Sequence, residues 1–163
     1  MNIAAFFPPW LLTIPIGWMI AAVIFALLTF DAMRAGPGRA SVIAMSAGIS
    51  IFLYNLLPYT AFVGSFIQSS SKTIQAGIFA LLFAAVCVLV YRMSSSIGGM
   101  SNGLIFSILA GLSATIALVV MWQQVVPLES MWNFGPQAHA IFGAPYALPW
   151  LLLVYLILAF VRS

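Results

Sequence analysis

The sequence predicts an all-α fold: a polytopic bundle of five transmembrane helices that makes up a single integral membrane domain, residues 1–163. Charged residues are only 4% of the chain and hydrophobic residues are 64%, whereas about a quarter of an ordinary soluble domain is charged. Long apolar runs recur, and an α-helix needs roughly 20 apolar residues to cross a hydrocarbon layer. Strands of a membrane barrel would instead alternate in polarity over about ten residues, and these runs do not.

The first apolar run, about residues 10–30, ends at Asp31 and Arg34 in a loop rich in glycine and proline. It is longer than the apolar region of a cleavable signal peptide and lacks a basic segment before it, so we expect it to form the first transmembrane helix. Asp31 and Arg34 are one helical turn apart. This spacing predicts an ion pair at the membrane interface.

The second run, about residues 41–63, carries Tyr54, Asn55 and Pro58 in its later half. Proline leaves a backbone carbonyl without its helical donor, and an asparagine side chain in lipid needs a hydrogen-bond partner. Two interpretations follow. This region is either a kink that an interhelical hydrogen bond seals or a polar lining for a pathway through the bundle.

The third and fourth runs, about residues 74–91 and 103–122, carry the clearest packing signal. Small residues recur at every fourth position of the fourth run, which makes one helix face nearly flat and lets a neighbouring backbone approach closely. These residues are Gly103, Ser107, Gly111 and Thr115. A similar stripe passes through Gly77 of the third run. Because a Ser/Gly-rich turn joins the two runs, we expect them to pack as an antiparallel hairpin.

The fifth run, about residues 146–161, follows a long connection, residues 123–147, that is rich in proline, glycine and aromatic residues. Its prolines prevent one long helix, and its aromatic residues give it more apolar area than a solvated loop carries. This composition predicts an interfacial or re-entrant segment between the fourth and fifth helices.

Trp10, Trp122 and Trp150 lie where the apolar runs meet the outer interface, a depth at which an indole N–H can remain in contact with water. Two side chains of the long connection, Glu129 and His139, are candidates for a role. They form either a proton-transfer pair or ligand site, since histidine titrates near neutral pH, or part of a purely structural lid.

The basic residues orient the bundle. With five crossings, Arg34, Arg39, Arg92 and Arg162 fall on one side of the membrane and Lys72 on the other. Short cytoplasmic loops carry an excess of lysine and arginine. We therefore predict an N-terminus outside and a C-terminus inside, in a bacterial cytoplasmic membrane.

Few residues of this chain are suited to chemistry. His139 and Cys87 are its single histidine and cysteine, which excludes a bis-histidine haem site, a multi-thiolate zinc site and an intrachain disulfide. We predict no metal and no cofactor. The net charge of +3 comes from basic residues that stand singly beside apolar runs, a pattern typical of membrane orientation and not of nucleic-acid binding.

Two functional hypotheses remain, both with the lipid bilayer as a partner. The first is a non-enzymatic subunit, anchor or assembly component that binds other membrane protein subunits. The second is a homo-oligomeric channel or transporter for a small solute or ion. Ion pathways usually place ionisable groups inside the bundle, whereas the charges here lie at the ends of the runs, which favours the first hypothesis. The sequence does not favour an enzyme.

Overall fold

The fold is all-α, as predicted. A computed structural model describes residues 15–60, 63–95 and 103–162, which form helices joined by turns and contain no β-strand. The predicted start of the first helix, near Trp10, lies outside the described residues. Within them, five stretches are long and apolar enough to cross a membrane, which confirms the predicted number.

The described residues form five long and three short α-helices. The long helices are α1 (Ile16–Ala35), α2 (Gly38–Leu56), α4 (Lys72–Ser95), α5 (Leu104–Gln124) and α8 (Ala147–Arg162). The short helices are α3 (Gly64–Ser69), α6 (Val126–Met131) and α7 (Pro136–Phe142). α8 alone has 16 residues, but with the 3-10 turn Ala144–Tyr146 before it, it is the C-terminal part of an apolar stretch of 26 residues, Pro136–Val161, that is long enough for the fifth crossing.

The long helices alternate in direction, so their ends collect in two groups. Arg34, Arg39 and Arg92 lie at one end of the bundle, which we call the arginine end. Lys72 lies at the other end, together with residues 123–147. We call this stretch the cap segment and this end the cap end.

α5 lies at the centre of the bundle. α1, α2 and α8 each pack along it, while α4 packs on α2 at the edge. Ala110, Ala114 and Ala117 of α5 are completely buried among these neighbours. Such small side chains let helix backbones approach closely, and close approach is what stabilises helix pairs in lipid.

The face of α5 that carries Ser107, Gly111 and Thr115 packs against α1. Ser107 is buried, and its hydroxyl donates a hydrogen bond to the carbonyl of Ala32 at 3.2 Å. Gly111 lies so close to α1 that a Cβ added to it would be 2.8 Å from the Thr29 Cα. Thr115 is also buried, with its hydroxyl donating to the Gly111 carbonyl at 2.8 Å.

Two of the predicted packing residues lie outside this contact. Gly103 is half-exposed, and a Cβ there would meet only Phe106 of its own helix. Gly77 of α4 is exposed, with open space where its Cβ would be. The predicted hairpin of the third and fourth spans is wrong: α4 packs on α2 and α6 instead. The larger side chains Phe79 and Val86 are buried on the opposite side of α4, and their greater packing area decides which face is covered.

The second helix ends earlier than predicted. α2 stops at Leu56, and a 3-10 turn, Leu57–Tyr59, carries Pro58. Proline at 58 frees the carbonyl of Tyr54, but the N–H of Leu57 donates to that same carbonyl. The prediction of a kink sealed by an interhelical hydrogen bond is therefore wrong, because the helix ends there and satisfies its carbonyl locally.

The ion pair of Asp31 is also different from the predicted one. Its carboxylate lies 3.6 Å from the guanidinium of Arg39, not of Arg34. α1 ends at Ala35, and Gly36 adopts a φ of 88°, a conformation open to glycine. The chain reverses within this turn and brings the first residues of α2 back alongside Asp31.

Candidate functional site

The cap segment folds back onto the cap end of the bundle. Phe134 and Phe142 are buried there in a second apolar cluster, and the Phe142 ring contacts Trp18 of α1 and Trp150 of α8 at centroid distances of 6.2 and 4.8 Å. The Phe134 backbone crosses directly over Gly17 of α1. A Cβ at Gly17 would lie 2.8 Å from the Phe134 carbonyl carbon, so only glycine allows this approach.

Both interfacial indoles hold the cap segment in place. The Trp122 Nε1–H donates to the carbonyl of Trp132 at 2.8 Å, and the Trp150 Nε1–H donates to the carbonyl of Ile141 at 2.8 Å. Both hydrogen bonds lie at the exposed surface of the bundle, where each helix end meets the cap segment, so the indoles keep the interfacial positions expected of them.

His139 and Glu129 face each other across the cap segment. The Nδ1 of His139 on α7 is 3.5 Å from the Oε1 of Glu129 on α6, with 54% of the histidine side chain and 31% of the glutamate side chain exposed. The turn between α6 and α7 makes this approach possible. Gly135 has a φ of 96° there, and its N–H donates to the Asn133 side chain at 2.7 Å.

The other predicted site residues do not join this pair. The Tyr54 ring packs edge-on against Phe79, with centroids 5.3 Å apart. Asn55 is exposed at the surface of the bundle. Within the described parts of the chain, no hydrogen bond or ion pair connects either residue to the His139–Glu129 pair.

Buried polar side chains are the feature that the sequence reasoning missed. Gln123, at the end of α5, is only 8% exposed, and neither its amide oxygen nor its nitrogen has a hydrogen-bond partner in the described structure. The hydroxyls of Ser46 and Ser50 on α2 are buried in the same way. Gln123 continues the four-residue spacing of Thr115 and Val119, so helical periodicity alone would have placed it on a buried face.

The chemistry open to the cap segment is limited. No group of three or more histidine, cysteine or carboxylate side chains that could hold a metal occurs within residues 15–60, 63–95 and 103–162. The His139–Glu129 pair can exchange a proton or bind a small polar ligand, since both groups are accessible.

No family model, curated protein or solved structure matches the chain.

Proposed function

We propose that this integral membrane protein is a non-enzymatic subunit, anchor or assembly component that binds another membrane protein through α4. The observation that carries this proposal is the exposed face of α4 formed by Thr73, Gly77, Ala80 and Ala84, which we call the small-residue face. No other described helix covers it. An added Cβ at Gly77 meets nothing within 4 Å.

The small-residue face has the geometry that this protein already uses inside the bundle. α5 places Gly111 directly against the backbone of α1, and the helices approach closely there. In lipid, such van der Waals contact between backbones drives helix association, because burial of apolar surface gives no advantage over lipid tails. Gly77 offers the same kind of surface to a helix from another chain.

The channel or transporter hypothesis has less support. Within residues 15–60, 63–93 and 103–161, every charged residue lies at the arginine end, at the cap end or in the cap segment. Ion pathways usually contain ionisable groups inside the bundle, whereas the buried polar side chains of α5, which are Ser107, Ser113, Thr115 and Gln123, are all non-ionisable. Asn55, the residue that would have lined a pathway, faces outward.

Purification in a mild detergent, followed by mass spectrometry of the associated chains, tests the proposal. The wild-type protein should retain at least one other membrane protein in a stoichiometric amount. Gly77→Leu should lose it, because the leucine holds the partner helix away from α4. Ala26→Leu, the matched change at an exposed position of α1, should keep it.

Two outcomes would contradict the proposal. If Gly77→Leu retains the partner as well as Ala26→Leu does, the small-residue face is not the binding surface. If the wild-type protein purifies as a monomer or as a homo-oligomer without any other chain, the subunit role is wrong. The homo-oligomer would favour the channel or transporter hypothesis.

A further inference from the structure

A cleft between α2 and α4 opens at the arginine end of the bundle. Its volume is about 440 Å³, within the range of about 300–1,000 Å³ that is usual for ligand pockets. Its apolar lining, which we call the floor, includes the buried Val42, the half-buried Ile43 and the exposed Val88. Arg39 and Arg92 stand on its rim, one on each helix.

The rim of the cleft carries a net positive charge. Asp31 is the one carboxylate that lines it, against the two guanidinium groups. The Asp31–Arg39 contact is 3.6 Å, longer than the roughly 2.7–2.9 Å of a charge-assisted hydrogen bond, and 63% of the Arg39 side chain is exposed. A guanidinium has five N–H donors, so this contact leaves Arg39 able to bind an anion.

The two arginines of the cleft lie at the ends of their helices, and the apolar floor lies about one helical turn further along each helix. Arg39 is in the first turn of α2 and Arg92 is in the last turns of α4, so both lie at the ends of candidate membrane spans, the level at which a spanning helix meets the headgroups. Ile43 and Val88 are each four residues further into the membrane, which is about 6 Å along a helix. A ligand that fits has an anionic head with an apolar chain directly below it.

We propose that this cleft binds an anionic phospholipid, with its phosphate held between Arg39 and Arg92 and an acyl chain lying along Val42, Ile43 and Val88. Basic pockets between transmembrane helices recognise anionic headgroups in this way. A soluble anion would use the rim alone, whereas a lipid uses both the rim and the floor. The apolar floor therefore favours the lipid.

Native mass spectrometry of the delipidated protein in detergent, titrated with phosphatidylglycerol and with phosphatidylcholine, tests this proposal. The wild-type protein should retain phosphatidylglycerol preferentially. Arg39→Gln and Arg92→Gln should each weaken its binding by about fivefold. Arg34→Gln is the matched control, because Arg34 is exposed at the same end but does not line this cleft. Equal loss in all three variants would mean a general charge effect and overturn the proposal.

Two further variants separate the site from a folding defect and from a site for free phosphate. Asp31→Asn removes the carboxylate that competes for Arg39, so it should strengthen the binding of phosphatidylglycerol, a gain that misfolding does not produce. Val88→Trp fills the floor and should weaken lipid binding while both arginines remain. Unchanged lipid binding in both variants, or displacement of the lipid by inorganic phosphate with the same effectiveness in wild type and Val88→Trp, would overturn the proposal.

Discussion

Replacing Gly111 with leucine places a branched side chain where α5 lies against the backbone of α1. The Cβ atom alone would be 2.8 Å from the Thr29 Cα and 2.9 Å from the Thr29 nitrogen, whereas ordinary contacts begin at 3.4 Å. The two helices must separate by at least 3.4 − 2.8 = 0.6 Å before any other atom of the leucine is accommodated. The hydrogen bond from Ser107 to Ala32, one turn away, lies in the same contact.

The free energy of unfolding should fall by about 1–3 kcal/mol, the usual cost of overpacking a well-packed contact. Leucine also favours a helix over glycine by somewhat less than about 1 kcal/mol, which opposes this loss. In the single chain, purified free of any partner bound at α4, Gly77→Leu gains the same helix preference without any steric conflict, because nothing lies within 4 Å of its Cβ. The difference between the two variants therefore isolates the cost of the close approach.

Thermal unfolding of both variants in one detergent, followed by circular dichroism, measures this difference. One kcal/mol corresponds to a Tm change of about 2–4 °C for a chain of this size, so Gly111→Leu should melt roughly 2–12 °C below Gly77→Leu. Equal melting temperatures would mean that α1 and α5 tolerate separation at Gly111 and that their close backbone approach does not stabilise the bundle.

Two other predictions follow from the bundle. The four arginines predict that the arginine end is cytoplasmic. In a Cys87→Ser background, a membrane-impermeant thiol reagent should therefore label Ser71→Cys in intact cells and Ala35→Cys only after lysis. The reverse pattern would overturn the orientation. Trp150→Phe keeps an aromatic ring on Phe142 but removes the donor to the Ile141 carbonyl, at a cost of about 0.5–1.5 kcal/mol. Amide hydrogens of residues 136–142 should then exchange faster than in the wild type, and unchanged exchange would show that the indole does not hold the cap segment.

The number of spans was predictable because hydropathy depends only on local composition. The end of α2 was predicted seven residues too late, at 63 instead of Leu56, because residues 57–63 are as apolar as a helix although Pro58 ends the hydrogen-bonded ladder. The partner of each helix was not predictable in this way. Gly77 and Gly111 lie in similar stripes, yet one faces open space and the other lies against Thr29.

In the candidate site too, features that depend on local sequence were predictable and features that depend on tertiary geometry were not. The approach of His139 to Glu129 follows from a short connection with a Gly-Pro turn, which the sequence displays. The pairing of Asp31 with Arg39 depends on the φ of Gly36, and the cleft beside it depends on how α2 meets α4. Both require tertiary geometry, so no spacing within one helix predicts them.

The central position of α5 determines when the core of this protein can form during synthesis. Translation proceeds at about 5–20 residues per second, so the 124 − 35 = 89 residues between the end of α1 and the end of α5 take roughly 4–18 s. Throughout that interval, the side of α1 that contains Thr29 has lipid or the insertion machinery as its neighbour. α2 and α4 can pair early, but α1 joins a packed core only after the fourth span has entered the membrane. A nascent chain that ends before Leu104 therefore carries three spans but lacks α5, the helix against which α1, α2 and α8 pack.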